Sequence, residues 1–433
     1  MQTVGEDVSK RARRRAAQHL LPFVFLLYLI CYIDRANLSF ANLRMSVDLG
    51  LSDRIYGLGA GLFFIGYLLF EIPGAVIVER WSARKWIARI MITWGLVTIL
   101  TGFIRTPGQF YAARLLLGAA ESSFFPGIIV FLTHWFRVAD RAKAIAFFYS
   151  AVPAASVVGS LLAGWLLGVH WGGVAGWRWI FIVEGIVPVL FGVITIFYLA
   201  DHPRDARWLP PDERTRIEDE LRRELDVKKS AGVLTIGQAF RERRVLLLMV
   251  PYFLALCGQL AVVYWIPTFV KRLSGMPVSQ VAWWVALPGL AGIAGMLFNG
   301  WHSDMTRERR WHAAIPLLLG SLVYFTVPST RHFGLTMAML TLGGFVVAYL
   351  PVFWSMPTLF LSESAAAACF GLINTFGQIG GFIGTWLVGI LNQSTGRLNA
   401  SFFFIGGCLF IAGLLHALLR IGFPASTETR IVS

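Results

Sequence analysis

Residues 20–40 read LLPFVFLLYLICYIDRANLSF, an apolar run in which Tyr32, Asp34, Arg35 and Asn37 stand together. The run matches the roughly 20 residues a helix needs to cross a bilayer. A charge at the bilayer centre costs about 2.5–3.5 kcal/mol on insertion scales, so an acid and a base set side by side there are expected to face a protein interior and do chemistry.

Outward from this stretch, apolar runs of similar length recur through 433 residues that are 56% hydrophobic and 14% charged. Breaks at Gly, Pro and charge clusters place spans near 20–40, 55–78, 86–104, 109–132, 144–169, 179–200, 245–270, 280–301, 312–328, 333–360, 366–391 and 400–421. The expected fold is an all-α membrane protein of twelve transmembrane helices. Lys10, Arg11, Arg13, Arg14 and Arg15 precede the first span, but no small-residue cleavage site comes after it, so it reads as retained rather than as a signal peptide.

The formal net charge of +14 is distributed by loop rather than by face. Arg80, Arg84 and Lys85, then Arg137, Arg141 and Lys143, then Arg307, Arg309 and Arg310 occupy alternate connections. The opposite connections hold few bases, such as Arg105, Lys271, Arg272, Arg331 and Arg397. This is the positive-inside pattern; it puts both termini in the cytoplasm and argues against nucleic acid as the partner. Cys31, Cys257, Cys369 and Cys408 fall inside apolar spans without CxxC spacing and read as small buried hydrophobes. With no phosphate loop, metal-ligand cluster or Ser/His/Asp arrangement, neither enzyme chemistry, a metal nor a cofactor is expected.

The longest polar stretch, residues 201–244, divides the chain into halves at 20–200 and 245–421, with tails at 1–19 and 422–433. Within it Pro210-Pro211-Asp212-Glu213 opens a helical pattern in which Ile217, Leu221 and Leu225 form one narrow apolar stripe, as on a surface helix. Each half repeats a loop signal at a cytoplasmic helix end: Glu79-Arg80-Trp81-Ser82-Ala83-Arg84-Lys85 after the second span, and Gly300-Trp301-His302-Ser303-Asp304 with Arg307, Arg309 and Arg310 after the eighth. Such an acid with a basic loop can pair with neighbouring helix ends in one conformation and release them in another, so Glu79, Arg80, Arg84, Asp304 and Arg307 are candidate gating residues.

Two sets of six spans with this loop in each half resemble the major facilitator superfamily over nearly the whole chain. Glu79 stands where that family usually has Asp and Ser82 where Gly is common; the copy at Gly300 and Asp304 is nearer the pattern. Small residues at four-residue steps, Ser156/Ser160/Gly164/Gly168 in the fifth span and Gly377/Gly381 with Gly380/Gly384 in the eleventh, predict close helix packing. Pro126, Pro267, Pro351 and Pro357 predict breaks in the fourth, seventh and tenth spans.

The fourth span carries Arg114 and Glu121 seven residues apart, two turns along nearly the same helical face. With Asp34 and Arg35 this makes two acids and two guanidiniums of zero formal sum. Protonating both acids would leave two positive forks able to grip a carboxylate. A bound anion in turn makes proton binding more favourable, and the linkage is reciprocal.

Tyr32-x-Asp34-Arg35-x-Asn37, Arg114 with Glu121, and Trp177-Arg178-Trp179-Ile180-Phe181-Ile182-Val183-Glu184-Gly185 together resemble the anion:cation symporter branch of that superfamily, which takes up tartrate, sugar acids, phthalate and similar carboxylates with protons. The resemblance implies proton coupling at Asp34 and Glu121 and anion binding at Arg35 and Arg114. It also implies substrate contacts from Tyr32, Tyr67, Gln259, Trp354 and Asn374, while Glu184 beside Arg178 reads as part of an outer structural cluster. The chain is therefore expected to import a small organic anion, a hydroxy-carboxylate such as tartrate or a sugar acid, in symport with protons by alternating access. It is expected as a monomer in a bacterial inner membrane, with substrate, protons and lipid as its partners. A proton-coupled exporter of drugs or other organic compounds is the alternative, and it would want surplus acid and apolar walls. A membrane sensor is a weaker rival, because a central polar stretch of about 44 residues is short for an output domain.

Overall fold

The computed structural model describes residues 2–231, 243–357 and 363–419; the expected tail at 422–433 and part of the 201–244 linker lie outside them. Among the described residues there is no strand. The first half comprises α1 (Gln2–Asp48), α2 (Asp53–Arg80), α3 (Ala83–Thr101), α4 (Pro107–Glu121), α5 (Phe124–Thr133), α6 (Val138–Tyr149), α7 (Ala151–Leu166) and α8 (Gly176–Tyr198). After α9 (Pro211–Ala231) come α10 (Arg243–Ser274), α11 (Val278–Thr306), α12 (Arg310–Thr326), α13 (Phe333–Gly343), α14 (Tyr349–Ser355), α15 (Glu363–Thr395) and α16 (Asn399–Leu418).

Ten stretches of the described residues are long and apolar enough to cross a membrane. Of the twelve expected spans, the third and eleventh positions fall to α3, which carries Arg84, Lys85 and Arg89 in its first turns, and to α15, whose Asn374, Thr375 and Gln378 dilute its apolar run. The fourth span is the pair α4–α5, the fifth α6–α7, and the tenth α13–α14 with a 3-10 turn over Gly344–Ala348 between them. Pro126 explains the first break. Lacking an N–H, it cannot bond to the carbonyl of Ser122, and its ring crowds that carbonyl, so α4 stops at Glu121 and a new helix starts at Phe124. Pro153 acts likewise on Tyr149, where α6 ends. Pro267 is a correction: α10 runs unbroken through both Pro251 and Pro267.

Within the first half α1 packs on α7 and α8, α2 on α4, and α3 on α8; within the second, α10 packs on α15 and α16, and α12 on α16. The halves meet through α2 on α15, α7 on α11 and α1 on α10. Small residues set these approaches. A Cβ on Gly384 would lie 2.0 Å from the carbonyl oxygen of Cys257, and one on Gly380 2.3 Å from that of Phe253, so α15 touches the backbone of α10. Gly164 makes its close approach to Ala282 of the other half.

The linker end, where α9 lies, differs in one respect from the expected outline. The basic segment expected as a tail over 1–19 is helical from Gln2 onward, extending α1 well beyond its apolar run. Its bases meet acids of α9: Arg11 Nε and Arg15 Nη1 donate to buried Glu213 Oε1 at 3.0 and 2.9 Å, and Arg13 pairs with Glu220 at 3.6 Å. Helix α9 opens with Pro211 in its first position, as the sequence suggests, and buries Ile217, while the side chain of Leu225 lies outside the described residues.

At the opposite, far end the halves are joined by polar and backbone contacts. Arg272 Nη1 and Nη2 grip Asp53 Oδ2 and Oδ1 at 2.7 and 2.5 Å, Tyr56 donates to the carbonyl of Tyr264 at 2.7 Å, and Gly57 lies against Gly389. Between the halves a cavity remains.

Candidate functional site

The cavity is lined from the first half by Tyr32, Arg35, Phe64 and Tyr149 among others, and from the second by Tyr252, Gln259, Asn374 and Gln378 among others. Arg35 is the one charged residue among the described residues of its wall. Helix α1 brings it there because Tyr32, Arg35 and Ser39 recur at helical spacing on the face turned inward, while Asp34 and Asn37 turn into the first half.

The guanidinium of Arg35 lies 5.1, 5.4 and 5.2 Å from the rings of Tyr32, Phe63 and Tyr67, an aromatic enclosure that favours a cation. Its Nε donates to Glu121 Oε1 at 2.5 Å, and the Cys31 thiol donates to the same oxygen at 3.0 Å. Glu121 is the last residue of α4, fully buried, with Oε2 unpartnered among the described residues. Its helix stops here and Ser123 takes a left-handed conformation, φ 68°. The Ser123 hydroxyl donates to the carbonyl oxygens of Phe70 and Glu71 at 3.1 and 3.0 Å, which fixes the break against α2.

The other acid and base are set deeper. Asp34 Oδ1 accepts from Asn37 Nδ2 at 3.1 Å and Oδ2 has no partner among the described residues. Arg114 is fully buried behind Phe63, its guanidinium 5.0 Å from that ring, and none of its three nitrogens has a hydrogen-bond partner among the described residues. It lies within electrostatic reach of Asp34 and beside Tyr264, outside the cavity wall. Of the two arginines expected to face the cavity, Arg35 does so in this conformation. The acid and base spaced seven apart on α4 do not pair with each other; Glu121 takes its cation from α1.

The remaining expected contacts divide in the same way. Tyr32, Gln259 and Asn374 line the cavity, with Gln259 Oε1 unpartnered among the described residues. Tyr67 is buried behind Arg35. Trp354 stands edge-on to Tyr252 at 5.1 Å and to Phe370 at 5.4 Å, so its place is in an aromatic stack behind the wall. Glu184 is likewise not where it was expected. Arg178 donates to the carbonyls of Gly102 and Ile104 at 2.7 and 3.0 Å, while Glu184 is buried near Asn37 and Asp34 with both oxygens unpartnered among the described residues.

The two repeated loops hold their own halves. Ser82, in the position where Gly is common, caps α3 by accepting from the backbone N–H of Lys85 at 3.1 Å and donates to Asp201 Oδ2 at 2.7 Å. The Arg84 backbone N–H donates to Asp201 Oδ1 at 2.8 Å. In the second loop Asp304 pairs with Arg309 at 2.6 Å, and Arg307 supplies the left-handed turn, φ 55°, that ends α11. Arg80 is exposed at the end of α2, and the side chain of Glu79 lies outside the described residues. None of the polar contacts described for these loops joins one half to the other.

Sequence reasoning passed over Glu71. It is buried in α2, where Oε1 accepts from Asn374 Nδ2 at 2.9 Å and Oε2 from Thr375 Oγ1 at 3.1 Å, both from α15. The signal was available: a lone acid in the middle of the apolar run 55–78.

Two helical halves around a largely apolar cavity with one described cation on its wall are the build of a carrier, and residues 24–385 match the Major Facilitator Superfamily. The chain belongs to that superfamily. It is a multi-pass membrane transporter, and superfamily membership excludes an enzyme. A protein of Agrobacterium vitis that bears the name of a tartrate transporter is 38% identical over 96% of both chains. A quinolone resistance transporter of Acinetobacter baumannii is 36% identical over 92% of each. In three dimensions the transporter is similar to a bacterial homolog of the human lysosomal transporter Spinster, with a TM-score of 0.76 at 19% identity, covering 95% of this chain and 97% of that one.

Proposed function

We propose that this facilitator imports a small organic anion, a hydroxy-carboxylate such as tartrate or a sugar acid, together with protons. It does so as a monomer in a bacterial inner membrane, with its linker end and both termini in the cytoplasm. The observation that carries the reading is the cavity wall, whose one charged described residue is the cation Arg35, held by a buried, titratable carboxylate at 2.5 Å. While Glu121 is ionised it neutralises Arg35. Once protonated, it releases the fork to an anion, with Asp34 and Arg114 forming a second acid–base set behind it. Tyr32, Gln259 and Asn374 supply hydroxyl and amide groups for the hydroxyls of a sugar acid. The gradient of protons then drives accumulation as the halves rock about the cavity.

The name of the Agrobacterium vitis relative favours tartrate as the first acid to try. The name of the Acinetobacter baumannii relative, together with a wall rich in tyrosines, favours a second reading as an exporter of aromatic drugs. Uptake of labelled tartrate, hexonates and aromatic carboxylates into proteoliposomes under an imposed inward proton gradient decides between them. Uptake of one acid that a protonophore abolishes supports import. Efflux of a quinolone with no uptake of any acid puts the exporter first.

A further inference from the structure

We propose that Glu71 is a third proton-linked carboxylate of the transport cycle, one that trades Asn374 between itself and the transported anion. The inference rests on the reading above, since the anion is what claims Asn374. Asn374 lines the cavity, yet its amide nitrogen donates to Glu71 Oε1 at 2.9 Å. Thr375 donates to the other oxygen at 3.1 Å. An ionised Glu71 thus occupies, from behind the wall, a donor the anion would use, and its charge repels that anion.

The placement gives this exchange a mechanical consequence. Helices α2 and α15 touch from Gly57 and Gly389 at the far end, through Gly61 with Phe382 and Phe64 with Gly381, to Glu71 with Asn374 and Thr375. The Glu71 bonds are thus the nearest to the linker end of the hydrogen bonds described between these two helices, and they are the point at which the halves would part. Hydrogen bonds to an ionised group are roughly twice as strong as neutral ones. With Glu71 ionised, α2 is held to α15. With Glu71 protonated and Asn374 drawn to the anion, the joint weakens and the linker end opens, the order of events an importer needs.

The charged and titratable groups facing Glu71 are Arg35 of α1, Tyr67 one turn earlier on α2, and Tyr252 of α10. Helix α15 contributes neutral donors, and the α4–α5 break contributes the Ser123 hydroxyl on the Glu71 carbonyl. Arg35 is bonded to Glu121, so Glu71 has no ion-pair partner among the described residues. Its proton occupancy is free to follow pH and anion.

The test needs no transported acid. Spin labels on the full-length carrier in lipid nanodiscs, at W81C and M305C, report the separation of the two halves at the linker end. In the otherwise wild-type protein, acidification from roughly pH 8.5 to 5.5 is expected to raise the ratio of long to short separations at least about threefold. Glu71→Gln, which keeps the size and hydrogen bonding but cannot titrate, should show a raised ratio already at the alkaline end and lose about half or more of the response. Glu71→Asp should keep a pH response. Thr375→Val, which removes one donor and leaves the carboxyl, should raise the ratio without flattening the response. Superimposable curves for Glu71→Gln and wild type overturn the inference, as does a Glu71→Asp curve as flat as that of Glu71→Gln, which would mean packing alone. Failure of proton-driven acid uptake would instead overturn the import reading and leave the label result standing.

Discussion

Glu121 closes α4 and bonds Arg35 of α1 at 2.5 Å, while Arg114, two turns back on the same helix as Glu121, has no hydrogen-bond partner among the described residues. The acid that pairs with the cavity cation thus belongs to a different helix, so protonating it would change a contact between helices. Glu121→Gln removes the charge and keeps the shape. Accumulation driven by a proton gradient should then disappear, while exchange of acid across the membrane survives within about tenfold with a much weakened pH dependence, the remainder coming from Asp34 and Glu71. Parallel uptake and counterflow assays check this; wild-type pH dependence in the variant would refute the role.

Arg35 sits among the rings of Tyr32, Phe63 and Tyr67, a setting that suits a planar, weakly hydrated guanidinium. Lysine keeps the charge but not the fork or the stacking, so Arg35→Lys should weaken apparent anion affinity by about tenfold or more. The turnover of the residual transport should change less. Saturation curves for the acid identified in uptake separate the two effects, and unchanged affinity would place the anion elsewhere.

Much of this was legible in the sequence, and the limit lies in one kind of information. Apolar length and loop charge located the spans, and Pro211 with Asp212 and Glu213 located the start of α9, because these signals are local. Pairings between helices are not local. The spacing of Arg114 and Glu121 puts them on one face of α4, but only packing decides that Arg35 supplies the cation. Glu71 was visible as an acid in an apolar run, but its partners Asn374 and Thr375 lie about 300 residues away and nothing local marks that pairing. The helical extension of α1 back to Gln2 was hidden because its stability comes from acids about 200 residues away, such as Glu213 and Glu220.

Asp53 and Arg272 close the far end with two bonds of 2.7 and 2.5 Å, yet the arginine is 42% exposed. Such a pair is worth about 0–1 kcal/mol, so it tilts rather than locks the conformational balance. Arg272→Gln should shift the population toward a far-end-open state by up to about fivefold. The exchange of charges in D53R/R272D should restore much of it. Labelling of Ser39→Cys in the cavity wall by an impermeant maleimide added at the far end reads the shift. Equal labelling of all three proteins would show that Gly57 against Gly389 holds the closure without the ion pair.

Ser123 combines a cost and a gain that two substitutions separate. Its left-handed backbone costs a non-glycine residue about 1–2 kcal/mol, and its hydroxyl donates to the carbonyl oxygens of Phe70 and Glu71 of α2. Ser123→Ala keeps the strain and loses both bonds, for an expected loss of about 1–3 kcal/mol. Ser123→Gly also loses the bonds but relieves the strain, recovering about 1 kcal/mol. Thermal unfolding in detergent should therefore rank wild type first, Ser123→Gly second and Ser123→Ala last. If Ser123→Gly were the most stable of the three, the hydroxyl would not be what holds the end of α4, and with it Glu121, against α2.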